Sequence, residues 1–444
     1  MASDRRTRPR SQRARSTRQR RLSVLAALLL ATAVLVSFYW LWPTPAAMER
    51  QWIEQAGFDP RIVHPDREAN DAARRIEALI APLGLEIWRA PRPIWARSSE
   101  AARNRYALVR GEARDYVRAL RRIEPVLSAP PAALADFLRD VEPTLSEIAE
   151  DLGGAEPPRW EVRVDRHPDT IGPSWLDHLN LHGLLVAAAA HAEHRGQTEI
   201  ARRRLEAAWR LRETLDDCPG VIAQLVAVAE LHDELALLRT IPGPLPGWEQ
   251  RLAPLPLRQR LMRAARLDVW SLPGILRRYP AEGFFVEDQA PPAALARLQA
   301  RRGVAAVVAS VNRSAHRLER DEVQPSDAVL VVADERERMP RWNLVARALW
   351  PTPMVGEVWH KATRGELNLE LTRRALEVRE LLRAGDAAGV EALGGEHPSV
   401  VAGVSWVYSV DPAAIVIRAA GDTEPLPTEG APPLEIRLSH SQGR

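Results

Sequence analysis

Histidines supply the first candidates for chemistry. His178, His182, His191 and His194 fall in one stretch, and His232 lies farther along. A spacing of four places His178 and His182 on one side of a helix, where two imidazoles can face a common metal ion. Between 182 and 191 a helix turns by about half a revolution, so the second pair points away from the first and cannot serve the same ion. Two ligands do not hold a transition metal, and a complete set would need His232, Asp233 or Glu230 from a later helix. Bland roles are available as well: His178 follows Asp177 near a helix start, and His191 and His194 suit a last turn, where a cation meets the negative end of the dipole. The sequence therefore assigns no metal ligand.

Other routes to catalysis are sparse. The single cysteine, Cys218, excludes an intrachain disulfide, a multi-thiolate zinc site and a CxxC redox pair. No GxGxxG or Walker A loop is present to hold phosphates, no HExxH or paired ExxH to hold metal, and no GxSxG to present a serine nucleophile. Ser405 within Gly403-Val-Ser-Trp, Glu357-x-x-His360 and Lys361 stand alone, without the nucleophile, base and orienting group that a reaction requires. No catalytic or cofactor-binding residue and no cofactor are expected, and the reading leans away from an enzyme. Asn312-Arg313-Ser314 has the form of a glycosylation sequon, which matters only in a eukaryotic secretory setting.

The elements that must position these side chains read as helices punctuated by Pro and Gly. Apolar periodicity predicts helices over 48–57, 66–82, 98–123, 131–151, 174–194, 197–216, 220–239, 256–279, 293–322 and 354–384. After residue 400 the period changes. Val404 to Val410, Ala414 to Ala419 and Leu434 to Leu438 alternate, with an Asp411-Pro412 turn, and predict a small antiparallel meander covered by the 354–384 helix. Two of the fourteen tryptophans belong to the N-terminal apolar run, and the rest are scattered as in inter-helix packing. Gly283-Phe284-Phe285-Val286 is a candidate partner contact.

Two resemblances follow from these patterns. Between Leu184 and Leu215, Gly196, Ala201, Leu205 and Ala208 are spaced as in one tetratricopeptide repeat. That resemblance implies a helical hairpin and no more, because the family's aromatic positions are missing from the first helix and no second copy occurs. A long helix followed by a short meander, on a chain with an N-terminal apolar helix, resembles the architecture of type II secretion pseudopilins. The leader here is long, the family's early Glu is missing, and Pro43 breaks the helix, so only architecture is implied.

On helix 98–123, Arg103, Arg110, Arg114, Arg118 and Arg121 form a stripe opposite Tyr106, Val109, Ala113, Tyr116, Val117 and Leu120. The acid-rich stretch Asp136 to Asp151 is its expected counterpart within the fold, ahead of anionic lipid headgroups.

Charge is unevenly placed along the chain. Nine arginines and one acid fall within residues 1–22, giving that tail +8 of a formal net charge of +3 and leaving the remainder at −5. The high pI thus belongs to the tail, and the body needs no nucleic-acid partner. Ser23 to Trp42 follows without a charge, about 30 Å of helix, enough to cross a bilayer, with Phe38, Tyr39, Trp40 and Trp42 at its far end. Retained arginines set the N-terminus in the cytoplasm. The competing leader readings are weaker. Ala31-Thr32-Ala33 is a small-x-small triplet buried inside the apolar run, Arg20-Arg21 with Ser23 departs from a twin-arginine motif, and an Arg-rich mitochondrial presequence ranks second.

The expectation is a mainly α protein: a basic cytoplasmic tail (1–22), a transmembrane helix (23–42), a first helical lobe (43–152), a Gly/Pro-rich connector (153–173), a second lobe (174–398) and a β-rich end (399–444). Its expected place is the inner (plasma) membrane, single-pass, with the main domain extracytoplasmic. Its expected role is a non-catalytic interaction scaffold of the cell envelope, bound to the bilayer through Ser23 to Trp42, with an envelope protein as partner and no oligomeric state assigned. The alternative is an anchored hydrolase or metal-dependent enzyme.

Overall fold

The computed structural model describes residues 28–33 and 44–439, apart from 88–95, 165–173, 279–292, 339–342, 347–351, 427–431 and positions 125, 244, 246, 321, 344 and 412. Helix starts follow local chemistry. Thr44, Asn70 and Ser99 each accept a hydrogen bond from the amide three residues on, satisfying donors left open at the first turns of α1 (Pro45–Ala56), α2 (Asp71–Ile80) and α3 (Glu100–Ala119). The predicted 131–151 helix is two, α4 (Ala132–Asp140) and α5 (Glu142–Gly153). Pro143 explains the break, since it lacks an amide hydrogen and its ring would collide with the preceding turn.

Next come α6 (Trp175–His194), α7 (Thr198–Glu213) and α8 (Val221–Thr240). Gly196, at φ 73°, makes the α6–α7 turn. Ala201, Leu205 and Ala208 are fully buried, as the hairpin requires. The body continues through α9 (Leu257–Arg278), α10 (Ala293–Leu318), α11 (Pro325–Glu337) and α12 (Thr352–Ala384). Helix α11 was not expected. Val329 and Leu330 are exposed beside buried Ala328 and Val331, so its sequence shows no single apolar stripe.

The chain ends in a four-stranded antiparallel sheet, ordered β1 (Gly395–Pro398), β2 (Val404–Val410), β3 (Ala414–Gly421) and β4 (Glu435–Ser439). Strands β2 to β4 match the alternating segments, whereas β1, Gly-Glu-His-Pro, carries no alternation to read. Trp406, Ile417 and Ile436 on the inner face pack with Leu367, Leu371, Ala375 and Val378 of α12, which covers the sheet as the apolar pattern requires. Val355, Val358, Trp359, Ala362 and Leu369 of the same helix belong to the larger core, which runs from Met48 to Leu376. Thus α12 is shared between two cores. The protein is mainly helical with a small C-terminal sheet.

Among the described residues no helix is long and apolar enough to cross a membrane. Of the run Ser23 to Trp42, residues 28–33 are helical and exposed, and the rest lies outside the described residues. The candidate contact Gly283 to Val286 also lies outside them, as do Trp88, Trp95, Trp342 and Trp350. Trp52, Trp160, Trp209, Trp359 and Trp406 are each buried to 2% exposure or less, in line with a packing role.

Candidate functional site

Helices α6 and α8 lie side by side in parallel, with α7 as the return between them. The arrangement brings His178 and His182, one turn apart, against Glu230 and Glu234, also one turn apart. His178 Nδ1 lies 2.7 Å from Glu230 Oε1 and His182 Nε2 lies 3.0 Å from Glu234 Oε1. All four side chains are fully buried. The four-residue spacing noticed in the sequence does put two imidazoles on one face, but each meets its own carboxylate instead of a common ion.

The network extends on both sides. Arg212 Nε of α7 donates to Glu234 Oε2 at 2.9 Å, and its guanidinium lies 4.3 Å from the Trp209 ring centroid. Thr214 donates its hydroxyl hydrogen to the Leu211 carbonyl at 2.6 Å and accepts from the Trp160 indole at 2.9 Å. His178 Nε2, 3.2 Å from the same oxygen, can then only donate to it. Both ring nitrogens of His178 are thus engaged, Nδ1 with the Glu230 carboxyl and Nε2 with the Thr214 hydroxyl.

The electrostatics are those of a sealed ion cluster. Burial works to raise the Glu230 carboxyl, but the charges of His178 and His182 outweigh it and hold the group below the usual carboxylate range. Burial likewise opposes the charged form of His182, and the Glu230 and Glu234 carboxylates overcome it and raise the imidazole. The other residues weighed as ligands go elsewhere. Asp233 pairs with Arg121 at 2.6 Å. His232 Nδ1 accepts from Asn368 at 2.9 Å and is held well below the ordinary imidazole value by burial and by the nearby Arg121, Arg364 and Arg239. Among the described residues no group of three or more His, Cys, Asp or Glu side chains is placed to hold a metal ion.

Of the remaining isolated candidates, Cys218 and His360 are buried, whereas Glu357 and Lys361 are exposed. Burial pushes the Cys218 thiol up to about 12. His360 Nε2 lies 3.0 Å from the Pro325 carbonyl. Asn312 is only 3% exposed inside α10, so its amide is closed to a glycosyl donor. Compared with known protein families, curated proteins and solved structures, the chain matches none.

A groove of about 630 Å³ between α3, α6 and α8 opens to solvent. Arg110, Arg114, Arg118 and Arg121 line one wall, and Leu176 and Leu179 line the other. The acid-rich α4–α5 stretch does not neutralise this stripe. Arg103 lies 3.5 Å from Glu86, Arg114 lies 3.4 Å from its neighbour Asp115, and Arg121 reaches Asp233 on α8. Among the described residues no ion pair joins α3 to α4 or α5. The stripe was legible in the sequence, whereas its partners were not, because Glu86 and Asp233 come from separate elements. A second cavity, about 240 Å³ beside Pro254 and Pro256, is walled by already matched charges such as Arg258–Glu366 at 2.7 Å.

Proposed function

We propose that the chain is a single-pass membrane protein of the cell envelope whose exported helical body is a non-catalytic interaction scaffold. The tail 1–22 is cytoplasmic, Ser23 to Trp42 is the anchor, and the body carries the contact surface. One observation supports the scaffold reading above the rest: the histidine–carboxylate pairs His178–Glu230 and His182–Glu234 are sealed inside, while the groove between α3, α6 and α8 presents arginines and leucines, which recognise and do not react. The asymmetric arginines before an uncharged stretch of 20 residues support the orientation.

Fractionation of cells expressing the full chain tests the anchor. The protein is expected to stay in the membrane pellet through an alkaline carbonate wash, and a C-terminal phosphatase fusion is expected to be active. Release into the wash, or a fusion active only in the cytosol, would defeat the topology. Metal analysis of the purified chain tests the scaffold: stoichiometric zinc or iron that disappears in His178→Ala would turn the reading toward an enzyme.

A further inference from the structure

Gly111 lies in the middle of α3 and Gly183 in the middle of α6, and both line the groove. Glycine inside a helix is unfavourable, because the unfolded backbone gains freedom and no side chain packs. Folds keep it where a neighbour leaves no room. At Gly303 of α10 a β-carbon would lie 2.7 Å from the Ala346 amide nitrogen and 2.8 Å from Val345 Cβ. At Gly111 and Gly183 a β-carbon would meet nothing within 4 Å. Two helices bordering one groove thus omit a side chain where their own packing has no use for the space.

The charge on the wall adds a second, independent observation. Arg110, Arg114 and Arg118 follow one another at four-residue spacing, about 6 Å per step along the helix. Arg110 and Arg118 have no carboxylate partner among the described residues, and Arg114 has only exposed Asp115. The one carboxylate among the groove's described lining residues, Asp233, is engaged by Arg121.

We propose that this groove docks an acidic amphipathic helix of a partner protein. A helix laid along α3 repeats its side chains at the same rise, so carboxylates on every fourth position meet the three guanidiniums in register. Its apolar flank covers Leu176, which is 60% exposed, and Leu179, while its backbone approaches through the notch at the two glycines. A single phosphate would engage one or two guanidiniums and leave the notch vacant, and a flat bilayer surface does not enter a concave groove. The inference rests on the scaffold reading and gives it a partner class.

The full chain in neutral nanodiscs, titrated with a fluorescent stapled Ala/Leu helix bearing Glu on every fourth position, tests the docking. The expected result is saturable, salt-sensitive binding, weakened about tenfold or more when Glu is replaced by Gln in the peptide or when Arg114→Ala and Arg118→Ala are combined in the protein. Gly183→Leu is expected to abolish binding without loss of helical circular dichroism. No binding of the Glu helix, equal binding of the Glu and Gln helices, an unaffected Gly183→Leu, or displacement by soluble short-chain phosphatidylglycerol at matched concentration would each overturn the proposal. A chain that remains in membranes but ignores the peptide refutes the docking alone. One that binds the peptide but washes free of membranes refutes the anchor alone.

Discussion

At the residue scale, the buried histidine–carboxylate pairs make stability depend on pH in a direction that can be worked out. His182 is raised above its ordinary value of 6.5, so its contribution is full below that value and is lost as pH rises through the folded-state value. Glu230 is lowered from 4.5, so its contribution is full above that value and is lost as pH falls through the folded-state value. Denaturant unfolding of the wild type and His182→Gln should show a wild-type advantage that shrinks as pH climbs past the imidazole range, and an advantage that grows instead would contradict the charged pair. His232, held neutral, acts in the opposite sense and should be kept constant in that comparison. Glu234→Gln strips the counter-charge from His182 and Arg212 together, and the loss of one partner from a buried pair costs about 3–5 kcal/mol. The buried Cys218 thiol should resist a thiol reagent in the native protein at neutral pH and label at the rate of unfolding; prompt native labelling would show the site to be open.

At the scale of elements, glycines in different helices should respond oppositely to the same substitution. Gly111→Ala adds a methyl in open space and should stabilise the protein by about 0.5–1 kcal/mol in denaturant melts. Gly303→Ala drives a β-carbon into the Ala346 amide and the Val345 side chain and should destabilise by about 1–3 kcal/mol. Equal effects at the two positions would mean that local propensity, not space, decides. The elements themselves were largely legible before the structure, because a helix such as α3 carries its periodicity and its Ser99 cap within its own residues. The pieces not foreseen are those without a local signal: α11 has no stripe, β1 has no alternation, and the division of α4 from α5 turns on Pro143 alone. The site was legible by half. The spacing of His178 and His182 gave their shared face, but their partners lie 52 residues away, and only the parallel placement of α6 and α8 brings Glu230 and Glu234 to them.

For the whole molecule, the position of α12 matters most. One helix supplies Trp359 and Leu369 to the large core and Leu371 and Val378 to the sheet's core, so neither core can open without exposing apolar surface on it. Helical circular dichroism and the fluorescence of the tryptophan set should therefore lose their native signals in one coincident transition, and a Trp406→Ala variant, about 3–5 kcal/mol less stable, should shift both together. Two separated transitions would show the sheet to be an independent unit. The Ala- and Leu-rich central helices pose a further problem of assembly, since such surfaces slide past one another with little penalty. The paired rungs between α6 and α8 remove that ambiguity. A displacement of one turn would set His182 against Glu230 but leave His178 facing Val226 and Glu234 facing Val186, two polar side chains without their partners. The polar cluster thus acts as a molecular vernier, admitting a single alignment of two otherwise interchangeable rods.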